Sequence, residues 1–257
     1  MMQNLQTIVT NEIETLELIT NPVTQFIPAS MTANTATAIV VPNRLETRDG
    51  NGRNGIPFSI DEFNLKSLRY QQIYDAGEFA VLSEAQLITQ ILFRPDRNEG
   101  NAFSSTLAHI QINLSTTNVA PDALSTTFAD NIGSDETIVF NGTLLLSSAN
   151  TRVAGRPKDF DIVISLDTPF LYDPSLGNLL LDVKNFSGGL TTRFDAEFRI
   201  GDSISRVTTS IGQDVNTPTG FADTLGLVTK FIFQPIVSVS PSASVSGLLI
   251  LPGLELA

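Results

Sequence analysis

In Ala108-His-Ile-Gln-Ile-Asn-Leu-Ser115 every second residue is apolar: Ala108, Ile110, Ile112 and Leu114 alternate with His109, Gln111, Asn113 and Ser115. A period of two is the geometry of a strand with one buried face, and a helix, whose faces repeat on a longer period, cannot satisfy it. The pattern recurs in Asp159-Phe-Asp-Ile-Val-Ile-Ser-Leu166, placing Phe160, Ile162, Ile164 and Leu166 inward. It recurs again in Phe194-Asp-Ala-Glu-Phe-Arg-Ile200, placing Phe194, Ala196, Phe198 and Ile200 inward. Further strands are expected at 37–41, 69–74, 87–93, 137–145, 178–185, 205–211 and 227–234, parted by turn signals such as Asn141-Gly142, Asp173-Pro174 and Gly188-Gly189.

Ten short strands, each with one polar face, predict an all-β fold: an antiparallel two-sheet β-sandwich, jelly-roll-like, over residues 37–236. Residues 1–36 read as an N-terminal extension. There Leu5, Ile8, Val9, Ile13, Leu16 and Ile19 recur at helical steps, and Asn21-Pro22 closes the amphipathic helix expected over 4–19. Residues 237–257 read as a Ser/Pro linker followed by a short apolar tail.

A chain of this length can bury roughly 70–75% of its unfolded surface without staples, and it has no cysteine, which excludes disulfides, thiolate zinc sites and a thiol nucleophile. The formal net charge of −12 opposes the phosphate contacts that nucleic acids and anionic membranes demand. No transmembrane segment is expected, since the longest apolar block, Gly247-Leu-Leu-Ile-Leu-Pro-Gly-Leu254, falls far short of the ~20 residues that span a bilayer. The first residues do not read as a secretory leader.

Asp49-Gly-Asn-Gly-Arg-Asn-Gly55 has the outline of a calcium loop. A helix-flanked calcium loop, however, wants an oxygen ligand at its fifth position, glycine at the sixth and an acid at the twelfth, where this chain has Arg53, Asn54 and Ile60. The mismatches favour a turn in which Gly50, Gly52 and Gly55 adopt positive φ while Asn51 and Asn54 bond their own backbone. Calcium held elsewhere stays open, with the loop carboxylates Asp96, Glu99, Asp135, Glu136 and Asp173 as candidate ligands; no other cofactor is expected.

No catalytic residue stands out. His109, the single histidine, lies on an outward strand position without an acidic neighbour, and the nucleophile-elbow, phosphate-loop and His-Glu-x-x-His motifs are absent. The pairs Asp159/Asp161 and Asp195/Glu197 read as solvated strand faces, with Arg199 balancing the second. With no Trp and three Tyr, the chain offers no evident stacking platform for sugars.

Asn51-Gly-Arg-Asn-Gly-Ile-Pro-Phe58, Arg69-Tyr-Gln-Gln-Ile-Tyr74, Phe103-Ser-Ser-Thr-Leu-Ala-His-Ile-Gln-Ile-Asn-Leu-Ser-Thr-Thr117, Val139-Phe-Asn-Gly142 and Thr168-Pro-Phe-Leu-Tyr-Asp-Pro-Ser-Leu-Gly-Asn-Leu-Leu-Leu-Asp-Val-Lys-Asn-Phe186 together resemble a family of exported bacterial β-sandwich proteins, of cyanobacterial and planctomycete type. Its members usually carry a C-terminal sorting tag with a Pro-Glu-Pro triplet. The resemblance covers residues 38–235 and implies an extracellular or cell-surface location; it carries over no catalytic residue. The tail departs from the family in lacking the triplet and the terminal arginines.

The expectation for function is a non-catalytic structural or binding role in the extracellular matrix. Two alternatives stand beside it: a polysaccharide-binding or polysaccharide-active jelly roll, with or without calcium, and a subunit that self-associates through its edge strands.

Overall fold

The computed structural model describes residues 35–236. The helix expected over 4–19 and the linker and tail lie outside them. Among the described residues thirteen strands form: β1 (Thr37–Val41), β2 (Gly52–Asn54), β3 (Leu68–Tyr74), β4 (Gln86–Phe93), β5 (Phe103–Thr117), β6 (Thr137–Ser148), β7 (Ile162–Tyr172), β8 (Asn178–Asn185), β9 (Phe194–Phe198), β10 (Ile204–Thr208), β11 (Phe221–Asp223), β12 (Leu225–Leu227) and β13 (Thr229–Pro235). The helical elements among the described residues are 3₁₀ turns of three or four residues, and none is long and apolar enough to cross a membrane.

One sheet runs β1-β13-β4-β7, and the other β11-β10-β3-β8-β5-β6, with every pairing antiparallel. The chain crosses between them from β3 to β4, β4 to β5, β6 to β7 and β7 to β8, which makes the fold the expected all-β sandwich. The inward faces enclose one main core. Its centre is aromatic: Phe58, Phe93 and Phe194 meet at 5.8–5.9 Å, and Phe79 touches Tyr172, Phe231 and Phe233. Edge contacts of this kind contribute beyond the area they bury.

The strands that sequence alone did not yield, β2, β11 and β12, are three residues each, too short to show a period; β12-β9-β2 forms a small third sheet. Ala108, expected inward, is exposed because the β5–β6 register slips between Leu107 and Ile110. Asn113 and Ser115, expected outward into water, are buried. The segment before β6 folds over that face of the sheet, where Leu124 and Phe128 cover Ile73, Leu180 and Val207. Polar residues there bond one another: Arg69 and Gln71 both donate to Asp182, and Asn131 donates to Gln71.

Candidate functional site

The β9 alternation is real, but the face expected to be solvated is covered. Asp195 and Glu197 are buried beneath residues 44–51, and their partners are Arg94 and Arg44, not Arg199. Arg94, itself buried, donates from Nε to Asp195 Oδ2 at 2.7 Å; its Nη2 lies 2.6 Å from the same oxygen and donates to the carbonyls of Leu45 and Arg48. Arg44 Nη2 lies 2.7 Å from Glu197 Oε1 and 3.4 Å from Asp202 Oδ2. Phe198 and Ile200, expected inside, are 61% and 85% exposed, because β9 ends at Phe198, past the core, and Ile200 lies in the turn beyond it.

Asp49–Gly55 is what closes this buried face. Gly50 N–H donates to Asp195 Oδ1 at 3.0 Å, and Asn51 N–H to Glu197 Oε2 at 3.0 Å. The Asn51 side chain brackets Phe198, accepting from its N–H and donating to its carbonyl. Gly52–Asn54 then pairs with β9. None of Gly50, Gly52 and Gly55 has positive φ, contrary to the turn expected there. A Cβ on Gly50 would sit 2.1 Å from the Ala196 carbonyl oxygen, so the glycine is required by close approach of two backbones. Asn54 does bond its own backbone, accepting from Ile56 N–H and donating to Ile56 O.

Burial pushes the Asp195 carboxyl up to about 6 against the pull of Arg94 and the Gly50 N–H. That value would suit a general acid, but the side chain is 0% exposed and lines neither of the two neighbouring concavities. Burial likewise pushes Asp202 up to about 6, opposed by the Ile204 N–H and Arg44 and reinforced by Glu197 and Asp122. Unlike Asp195, Asp202 lines an open cleft.

That cleft, about 450 Å³, is walled by Arg44, Asp75, Glu78, Arg199, Asp202 and Ser203, with Ile200 at one side. Ile200 also walls a shallow apolar hollow of about 390 Å³ with Phe198 and Thr224. Glu78 is shared with a third concavity, of about 240 Å³, which holds Ile39, Asn43 and the exposed Val81. That one shares Val40 and Glu46 with a fourth, of about 220 Å³, at Lys158 and Lys230. Four concavities thus follow one another through common wall residues. Carboxylates and guanidinium groups beside an exposed phenyl ring can hydrogen-bond hydroxyls and cover an apolar ring face.

The carboxylates singled out as calcium candidates lie apart. Asp96 accepts from the N–H groups of Asn98 and Glu99, Glu99 pairs with Arg53, Asp135 accepts from Thr116 N–H, Glu136 accepts from Asn113, and Asp173 accepts from Ser175. Among the described residues no three metal-ligating side chains converge. His109 is exposed and stacked on Phe186, with Nε2 3.2 Å from Asn141 Oδ1. Asp159 and Asp161 precede β7 instead of lying on it, and bond Thr151 and the Ser148-Ala149 turn. Compared with known proteins, the sequence matches no family model and no curated protein.

Sequence reasoning missed Arg44 and Arg94 as the partners of β9, and Asp202 beside Arg44, and the signal was faint. The one hint was that Asp195 and Glu197 alternate with Phe194 and Ala196 inside a strand that carries its own arginine at 199.

Proposed function

We propose that the protein is an exported, non-catalytic β-sandwich of a bacterial cell surface or extracellular matrix, and that it binds polysaccharide along the row of concavities that starts at the β9–β10 turn and runs past β1 to Lys230. The observation that carries this reading is the row itself: open, continuous through Ile200, Glu78 and Val40, charged along most of its length and apolar at the end that holds the exposed Phe198 ring. A small-molecule site is typically enclosed and mostly apolar; an open trough of charged and amide groups matches a hydroxyl-rich chain lying on the surface. The resemblance to exported bacterial proteins supports the location.

Edge-strand self-association is less favoured, because β6 and β7, an edge of each large sheet, run beside each other. The test is an array of bacterial and plant polysaccharides probed with the purified chain, together with a reducing-end assay for hydrolysis and fractionation of the host cells. Saturable binding without new reducing ends, and recovery from the surface fraction, are expected. Absence of binding, hydrolysis of a bound glycan, or accumulation in the cytoplasm would each overturn part of the reading.

A further inference from the structure

The chain carries only 15 Lys and Arg against 27 Asp and Glu, so each cation has acids to choose from. Four of the 15 nevertheless gather on the wall of the 220 Å³ concavity: Arg94, Arg156, Lys158 and Lys230. Arg94 is matched from below by Asp195. The other three make no ion pair among the described residues. Lys158, buried, spends two N–H groups on the carbonyls of Asp96 and Gly100 at 2.6 and 3.0 Å. Lys230 Nζ has no hydrogen-bond partner among them and stands 4.6 Å from the centre of the Phe160 ring, over which Arg94 also lies at 4.7 Å.

Two acids, Glu46 and Asp159, share the wall. Asp159 already accepts from Thr151 Oγ1 at 2.6 Å, and neither acid reaches ion-pairing distance of a wall cation. With Arg94 counted as matched, the wall keeps a net positive charge in a protein of net −12. Burial lowers both Lys158 and Lys230, and the pull of Asp96 on the first and of Glu46 and Asp159 on the second offsets it only in part. The Phe160 ring gives partial compensation, since a ring face attracts a cation less strongly than an anion at contact does.

We propose that this concavity is an oxyanion site, taking a carboxylate or sulfate group through Lys230, Arg156 and the third N–H of Lys158, with Phe160 as its apolar wall. Three cationic side chains on one wall offer the N–H donors that such anions accept. The inference deepens the polysaccharide reading, since a uronate or sulfate ester is how a glycan presents this chemistry, yet a free anion would fill the same site.

Binding is measured by calorimetry at one constant ionic strength set with sodium chloride, using sodium sulfate, sodium galacturonate, galactose, polygalacturonate and neutral dextran. One saturable site for sulfate or galacturonate, absent for galactose, is expected. Lys230→Gln with Arg156→Gln should weaken it roughly tenfold or more, each lost charge-assisted bond being worth over 1 kcal/mol. Lys66→Gln, an exposed cation outside all four concavities, should leave it unchanged. Polygalacturonate binding that free sulfate displaces identifies a glycan-borne anion, whereas binding of the free ions alone identifies a free one. No saturable oxyanion binding by the unaltered chain, or binding indifferent to the double variant, overturns the proposal; neutral-glycan binding that persists would leave the wider reading standing.

Discussion

Arg94 and Asp195 are each other's counterion beneath the surface: both side chains are at most 1% exposed, and Arg94 Nη2 lies 2.6 Å from Asp195 Oδ2. The pair joins the end of β4 to β9, and Gly50 is hung from the same carboxylate. Removing one partner strands the other's charge in a low dielectric. Arg94→Met alone should therefore destabilise by about 3–5 kcal/mol, and Arg94→Met with Asp195→Leu should recover most of the loss. Urea unfolding midpoints at constant slope measure both; a single variant within about 1 kcal/mol of the parent would show the pair to be dispensable.

Gly50 separates two accounts of its loop by the sign of one substitution. If the segment only turned the chain, Gly50→Ala at its non-positive φ would be neutral or stabilising by about 0.4–1 kcal/mol, through the unfolded state. The Cβ would instead meet the Ala196 carbonyl at 2.1 Å, so we expect destabilisation by about 1–3 kcal/mol and a weaker Asp195 contact. A thermal melt of the single variant decides.

The sandwich was legible because the long strands repeat faithfully: Ile110, Ile112 and Leu114, or Ile162 and Ile164, are buried as their period requires. What the period cannot state is what lies over the other face. Asn113, Asp195 and Glu197 alternate correctly and are nonetheless buried, since segments distant in sequence fold across them. The error on Phe198 has the opposite cause: its strand continues past the core, so an inward phase points at nothing. A local reading asks of Gly50 only its φ, while the requirement it meets is proximity to a strand 145 residues away, which no local rule contains.

Phe198 and Arg199 bear on the proposed binding directly, as both are exposed and neither holds the fold together. Phe198→Ala and Arg199→Ala should each weaken polysaccharide binding roughly tenfold, the size of one lost ring or charged contact in an open site. Both should melt within a degree or two of the parent, since surface changes are usually worth about 0.5 kcal/mol or less. Unchanged binding in both variants would move the site away from the β9–β10 end.

Asp202 predicts an inverted pH dependence. Its folded value is raised from the ordinary carboxylate 3.8 to about 6, so the folded state holds the proton more tightly than the unfolded one. The stability this brings is fully present below pH 4 and is lost as pH rises through about 6. Asp202→Asn retains an acceptor for Ile204 N–H and removes the repulsion from Glu197 and Asp122. The variant should gain about 1 kcal/mol over the parent at pH 7.5, after allowance for solvent at the cleft mouth, and nothing at pH 4. Melts across pH 4–8 record the difference; a constant offset would assign the effect to packing.

Calcium should leave the melt unchanged. A cation entering at Asp49–Gly55 would meet Arg53, held on Glu99 at 2.6 Å, and Arg97, 3.8 Å from Asp49, while the Gly50 and Asn51 N–H groups already occupy the buried carboxylates. Asp96 and Asp173 are engaged in capping their own turns. A ligand at a hundredfold excess over its dissociation constant stabilises the folded state by about 2.7 kcal/mol, a shift of several degrees that no melt would miss. Equal midpoints in calcium and in chelator are therefore the expected result. A shift of several degrees would place the ion at another set of loop carboxylates, with Asp135 and Glu136, adjacent in sequence beside Asn113, the first to substitute.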